Sequence, residues 1–449
     1  MHRLGRMKRG FLAGCVLLGA VVIAGLTYVE ADPQAMFIVR PEPRALDAYT
    51  PDQLIVAFAT TSSQALIEHT VREVGGIRAR ASAFGGRYLV TLEPGQDVPS
   101  ALARLRGMQE VEYAEPNGIV RAYLTPNDPN YKYQWHMRLI GAERTWDIQA
   151  GAASVVVAVL DTGIAYEDFG PYRKAPDWGS TTFVTGYNVL NGSSHANDDN
   201  FHGTHVASTI AEATNNNIGV AGLCFGCALM PVKVLDNDGL GTYFDVAEGI
   251  DHAVNFTQNG QKPVKVINLS LGGEGESTTV TRAIDRAVAQ GITVVAAAGN
   301  DGSDKVSFPA SYASVIAVGA VDGRKQRAPY SNYGSALDVV APGGDLDRDD
   351  DSDGYPDGVL QQTFSPTRAA REGRYDVFGY FFVEGTSEAT PHVAAIAALL
   401  YNQGIKDPTA IRKAIESTAE DLGAAGRDDQ FGHGLVRPAE ALKGLGINK

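Results

Sequence analysis

The sequence predicts two domains. The larger is an α/β domain with a doubly wound parallel sheet and helices on both faces. The smaller, preceding it, is an α+β domain of β-α-β-β-α-β order. Two observations predict the first. "SVVVAVLDTG", "ALMPVKVLD", "VKVINLSLGG", "ITVVAAAGN" and "SVIAVGAV" are short apolar, β-branched runs, each closing on Gly, Asn or Asp or leading into a turn. Helical segments such as 243–257, 279–290 and 387–402 alternate with them. Strands that are apolar on both faces, alternating with helices, belong to parallel sheets covered on each side. A third observation, the changing periodicity of residues 32–123, predicts the small domain.

In chain order, the basic N-terminus (Arg3, Arg6, Lys8, Arg9) precedes an uncharged run from Phe11 to Val29. Residues 1–31 therefore read as an export signal, with an uncleaved signal anchor as the alternative. "LAGC" at Cys15 resembles a lipoprotein box, but most of the apolar core follows the cysteine, which argues against lipidation. Next, "QLIVAFAT" is a strand. "SSQALIEHTVREVG" has helical spacing, with Leu66, Ile67, Val71 and Val74 on one side and Gly75-Gly76 as the stop. "RARASAF" and "RYLVTLE" are strands, "DVPSALARLRGM" a second helix and "VEYAEP" the last strand. A sheet of this size with two helices buries only a limited core.

The larger domain starts near residue 124. Polar residues at the C-terminal ends of its strands should line a crevice, and Asp161, Ser270 and Asn300 hold such positions. The stretch 345–358, "DLDRDDDSDGYPDG", departs from the pattern, with seven aspartates in fourteen residues. Asp349, Asp351, Asp353, Gly354 and Asp357 have the spacing of a calcium loop, although no Glu stands at the twelfth position. A solvated acidic loop is the alternative.

Net charge is −14, which gives no basic excess to neutralise phosphates and argues against nucleic acid as a partner. Of three cysteines, Cys224 and Cys227 form "CFGC". In an exported chain this is expected to be a small disulfide loop; a redox pair is the alternative, and half a zinc site lacks a second cysteine pair.

Three local motifs carry chemistry. "AVLDTG" puts Asp161 after a buried strand, "DNFHGTHVAS" puts His202 at a helix start, and "EGTSEATPH" puts Ser387 at another. Serine needs a base to take its proton, and the base needs a carboxylate to fix its tautomer. Singly, each has a plainer account: a turn aspartate, an N-cap serine, or a His202/His205 metal pair at i, i+3. Their joint occurrence with Asn300 in "VVAAAGN" resembles the subtilase family of serine proteases over residues 124–445.

That resemblance implies the subtilisin-like fold and an exported serine endopeptidase acting on polypeptides. Asp161 orients, His202 is general base and acid, Ser387 attacks, and Asn300 with the Ser387 N–H stabilises the oxyanion. It further implies that Ser270, Leu271 and Gly272 wall the S1 pocket, with Ser307 at its floor. Gly239, Leu240 and Gly241 would offer an edge to an extended peptide, although "DGLGT" alone is only a glycine-rich turn. With no clear counter-charge at the floor, uncharged, medium to large P1 residues are expected; Asp301 near the rim leaves a basic preference open. The small domain, ferredoxin-like in element order, becomes an inhibitory propeptide over 32–123, with self-cleavage between Tyr123 and Leu124, and the catalytic domain, expected as a monomer, spans 124–449. Similarity to thermitase-like members implies structural Ca²⁺ held by Asp128, Asp168, Asn216 and the carbonyls of Ala213, Ile218 and Val220; an ordinary polar turn is the alternative for "NNN".

One residue departs from the family pattern. Glu388 follows the nucleophile where relatives commonly carry Met. At about 6 Å and an effective dielectric near 20, a full charge there repels an oxyanion by roughly 3 kcal/mol, about two decades of rate. Three escapes are open: a protonated Glu388, a cationic partner, or a side chain turned toward the primed subsites. Activity that falls with rising pH as Glu388 ionises is expected. A catalytically impaired, subtilase-like binding protein is the second reading, and a metal hydrolase built on His202, His205 and Asp161 the third.

Overall fold

The computed structural model describes residues 28–29, 49–119, 124–365, 367–368 and 372–443. The signal or anchor segment, apart from the two-residue strand Tyr28–Val29, lies outside the described residues, as does Tyr123. Among the described residues no helix is long and apolar enough to cross a membrane. They form two compact units, one of residues 49–119, 124–125 and 143–149, the other comprising 28–29, 126–142 and 150 onward.

The first unit has the expected order. Strands Tyr49–Phe58, Gly76–Ala81, Arg87–Leu92 and Val111–Gly118 are interleaved with helices Gln64–Glu73 and Val98–Leu105. All pairings are antiparallel, and Arg87–Leu92 and Tyr49–Phe58 are the central strands. Ser63 and Asp97 cap the helices by accepting from the N–H groups of Leu66 and Ser100. Gly75, at φ 78°, ends the first helix, a left-handed position that glycine fills without strain. A single core joins Leu54, Val56 and Phe58 of the first strand to Ile67, Val71, Val98, Leu102 and Leu105 of the helices. Leu66, expected on the packed side, is 37 % exposed, because the cap phases the helix so that Ile67, Thr70 and Val71 face inward.

The second unit carries the parallel sheet. Its strands, from one edge, are Val339–Pro342, Ile316–Val321, Thr293–Ala297, Val264–Leu269, Val156–Asp161, Ala228–Lys233 and Thr182–Phe183, with Tyr187–Asn188 also on Ala228–Lys233. Every residue of Val156–Asp161 is buried, as a strand covered on both faces requires. Helix Thr386–Gln403 packs on five of these strands and on helix His202–Ala211, while Tyr243–Asn255 and Thr278–Ala289 pack together against the sheet. From Val156–Asp161 the chain steps to one side, and from Val264–Leu269 it proceeds to the other, so the two adjacent strands bracket the topological switch point.

One element was not foreseen from the sequence, the antiparallel hairpin of Val359–Phe364 and Phe378–Val383. Gln361, Gln362 and Thr363 are fully or almost fully buried within it, which removes the polar–apolar alternation that would have marked a strand. Their polarity is satisfied by tertiary partners: Gln362 bridges the Asp177 N–H and Glu212, and Thr363 donates to the Phe201 carbonyl.

Candidate active site

Asp161 ends its strand at the switch point. Its Oδ1 accepts from the Thr162 N–H and from His202 Nδ1, both at 2.7 Å. His202 opens its helix one residue after Phe201, whose φ of 112° is unusual for a side chain of that size. Asp198 holds that turn. Its Oδ1 accepts from the Thr162 hydroxyl and the N–H groups of Asn200 and Phe201, while its Oδ2 accepts from the Thr204 N–H and hydroxyl. Asp198 was missed in the sequence because an aspartate before a helix reads as an ordinary cap. Burial alone would lower the His202 pKa, but Asp161, then Glu388 and Asp198, outweigh it and hold the imidazole up at about 9.

Ser387 lies in the first turn of helix Thr386–Gln403, and Ser270 Oγ donates to its carbonyl at 2.7 Å. The Asn300 Oδ1 accepts from both the Thr386 N–H (2.9 Å) and its hydroxyl (2.8 Å), which fixes the side-chain amide beside the turn that carries Ser387. A side chain on Gly385 would place Cβ 2.8 Å from Ser387 Oγ, 3.4 Å from Asn300 Nδ2 and 2.5 Å from Glu388 Oε2, so the absent Cβ is what lets these three groups approach one another. Thus Asp161 meets His202, and Asn300 meets the turn of Ser387. The single hydroxyl proton of Ser387, however, is donated to Glu388 Oε2 at 2.9 Å. Glu388 is 1 % exposed, and its other oxygen stands 3.9 Å from His202 Nε2 and 3.7 Å from His205 Nδ1. The placement of Glu388 toward primed subsites is therefore corrected: the side chain is buried against the histidines. Burial raises its pKa, while His202 and the Ser387 hydroxyl oppose that rise.

The expected pocket residues gather beside this centre. Gly272 faces Ser307, with 3.2 Å between the Cβ it would carry and the Ser307 Cβ, and Gly273 pairs with Phe308 through two backbone hydrogen bonds. Leu271 is partly exposed between Ser270 and Gly272. Ser307 Oγ accepts from Asn332 Nδ2, whose amide also contacts Asp301. Gly239, Leu240 and Gly241 form an outward edge, with Leu240 61 % exposed, ahead of the capping box at Thr242 and Asp245.

A second polar cluster lies within the same unit. Asp128 accepts from the N–H groups of Asn215 and Asn216, and Asp177 from the Asn216 amide and the Val220 N–H. The 213–220 loop that carries Ala213 and Ile218 thus wraps these carboxylates. Asp168 does not belong to the group; it is exposed and closes a turn by accepting from the Lys174 N–H. Asp177 stands there instead, masked in the sequence by the length of the segment after Asp161. Burial raises Asp128 to about 6 and Asp177 to about 8, and Glu212 well above its usual range with one oxygen unpartnered. Three buried carboxyl groups, with no cationic partner among the described residues, are a donor set that suits calcium. In the acidic loop, Asp349, Asp351 and Asp353 bring oxygens within 4.8 Å of one another at the surface. Asp357 is not among them; it is buried and accepts from the Asp350 N–H. Cys224 and Cys227 are joined as a disulfide.

Residues 152–434 match the model of the subtilase family. The chain is a subtilase. Residues 41–117 match the fervidolysin N-terminal prodomain, so this subtilase carries a prodomain of that type. It is 35 % identical over 386 residues to the thermophilic serine proteinase of Bacillus sp. strain AK1, covering 86 % of each chain. It is 36 % identical over 303 residues to thermitase of Thermoactinomyces vulgaris, covering 67 % of this chain and 94 % of thermitase. Among solved structures, a protease of Pseudoalteromonas arctica PAMC 21717 superposes with a TM-score of 0.62 at 34 % identity, covering 72 % of this subtilase and all of that chain. The family and its relatives make this subtilase a subtilisin-like serine endopeptidase.

Proposed function

We propose that this endopeptidase cleaves peptide bonds through Ser387, His202 and Asp161, with Asn300 Nδ2 and the Ser387 N–H receiving the oxyanion. The observation that carries the proposal is the 2.7 Å contact of Asp161 with His202 Nδ1, which leaves Nε2 facing the nucleophile's side of the site. His202 takes the Ser387 proton as the hydroxyl attacks the carbonyl carbon, then delivers it to the leaving amine. Water, activated by the same imidazole, releases the acyl group. Ser270 and Gly272 opposite Ser307 favour an uncharged, medium to large P1 side chain, and the 239–241 edge receives the extended substrate.

The enzyme is made as an exported proenzyme. Residues 32–123 inhibit it until it cuts between Tyr123 and Leu124. Calcium held by Asp128, Asp177, Asn216 and the 213–220 carbonyls supplies the charge that balances buried carboxylates, and the Asp349–Asp353 loop offers a further, surface site. Neither the site nor the relatives support a disabled binding protein or a metal hydrolase.

A fluorophosphonate should label wild-type enzyme at Ser387 and leave Ser387→Ala unlabelled, with a zinc chelator at low concentration without effect. Labelling that persists in Ser387→Ala would dismiss the proposed nucleophile.

A further inference from the structure

We propose that Glu388 is a positioning residue that locks the resting site: its carboxylate holds the Ser387 hydroxyl on one oxygen and faces the His202 imidazolium with the other. The inference deepens the peptidase reading above and rests on it. The Ser387 hydroxyl has one proton, and at 2.9 Å that proton goes to Glu388 Oε2. While it does, the hydroxyl is not delivered to His202. Glu388 Oε1 has no hydrogen-bond partner, is buried, and lies 3.9 Å from His202 Nε2.

The groups around Glu388 decide its charge partner. From the His202–Ala211 helix come His202 and His205; from its own helix, His392; from the strand beneath, Asp161. Tyr330 and Glu384 face it from the 330 and 384 segments, and Asp198 faces His202. Three of these groups are carboxylates, and burial keeps Tyr330 protonated. His205 and His392 are neutral, pushed down by burial to about 3 and about 4. His205 gives its ring proton to the Phe381 carbonyl at 3.1 Å, so a lone pair at Nδ1 faces Glu388. That leaves His202 as the cation in the set.

Proton balance then sets the sign. In the locked state Glu388 is ionised, His202 carries a proton on Nε2, and Ser387 keeps its own. Loss of the Nε2 proton to solvent yields a neutral imidazole that can accept from Ser387. An opposite charge within about 4–6 Å moves a pKa by about 1–3 units, so Glu388 delays that loss to higher pH. The dependence runs opposite to that of an isolated carboxylate beside an oxyanion: activity rises, rather than falls, with pH across the titration of the imidazole.

The test compares pH profiles of kcat/KM for mature wild type and Glu388→Gln on an uncharged peptide. His202 is titrated in parallel by carbon-13 NMR in Ser387→Ala and Ser387→Ala/Glu388→Gln, which cannot digest themselves. The expected result is an acidic limb about one to two units lower in Glu388→Gln, about a tenfold or greater gain in kcat/KM at pH 7, and a matching fall in the His202 pKa. Coincident limbs, or a His202 titration indifferent to the substitution, overturn the lock. Glu388→Gln that is inactive at every pH with His202 unmoved also overturns it, making Glu388 itself the proton acceptor. Should the double variant not fold, a His202 titration at pH 7 or below in Ser387→Ala overturns the proposal. If the wild type neither hydrolyses peptides nor reacts with fluorophosphonate, the peptidase reading fails, while the NMR titration still decides the lock.

Discussion

Around Ser387 each contact has a separable consequence. Removing the hydroxyl in Ser387→Ala should lower turnover about 10⁶-fold, a magnitude known from subtilisin itself rather than derived from this geometry. Asn300→Ala should lower kcat about 10²–10³-fold, again the cost recorded in subtilisin, with KM little changed; a fall in binding alone would remove Asn300 from the oxyanion site. Gly385→Ala makes a different demand. Its Cβ would meet Ser387 Oγ and Glu388 Oε2, and a displacement of about 1 Å in the nucleophile costs about a hundredfold in rate. Unaltered kinetics in Gly385→Ala would show that the turn relaxes freely. The four residues of the proposed catalytic set stood out in the sequence because each lies at or just past a strand end, or in the first turn of a helix, in a recognisable motif. The direction of the Glu388 side chain did not, since nothing local distinguishes a carboxylate turned to solvent from one turned to histidines on a helix far away in sequence.

Among the elements, the loop 213–220 and the segment around Asp177 form a unit whose stability depends on proton and cation together. Asp177 is near 8 in the fold against 3.8 unfolded, so the folded chain binds the extra proton between those values. Without a cation, stability therefore falls as pH rises through that window. Calcium binds the ionised carboxylates, so its stabilisation grows over the same range. The gap in Tm between calcium and chelator should widen from pH 5.5 to pH 8, reaching several degrees for a gain of about 3 kcal/mol at a hundredfold excess over Kd. Asp177→Asn should abolish most of the gap, whereas Asp168→Asn should leave it intact; the reverse pattern would restore Asp168 as the ligand. The parallel strands were legible as continuous apolar runs. The hairpin at 359–383 was not, because its buried glutamines and threonine find partners far away in sequence, which no local pattern records.

For the whole molecule, the small unit shows how far element order can be taken from periodicity alone: four strands and two helices occur in the expected order, while the second strand starts at Gly76 and ends at Ala81, leaving Phe84 exposed beyond it, and Leu66 is rotated out of the core. The boundary between the units is set by contacts rather than composition, since residues 143–149 group with the N-terminal unit although they follow the proposed cleavage point. If the chain processes itself, Ser387→Ala should remain at full length apart from any signal removal, while wild type should yield a product beginning at Leu124 by N-terminal sequencing. A product starting elsewhere would move the junction, and processing of Ser387→Ala at an undiminished rate would assign the cut to another protease. A last consequence concerns the cystine. Cys224 and Cys227 are almost wholly inaccessible, and the turn between them is pinned by the Gly226 N–H to the Ala150 carbonyl. Small reductants can reach it only when that part of the molecule opens. Under mild thiol and a mass tag, the rate of alkylation thus becomes a clock for rare opening events, readable even in samples whose spectroscopic signal shows no change.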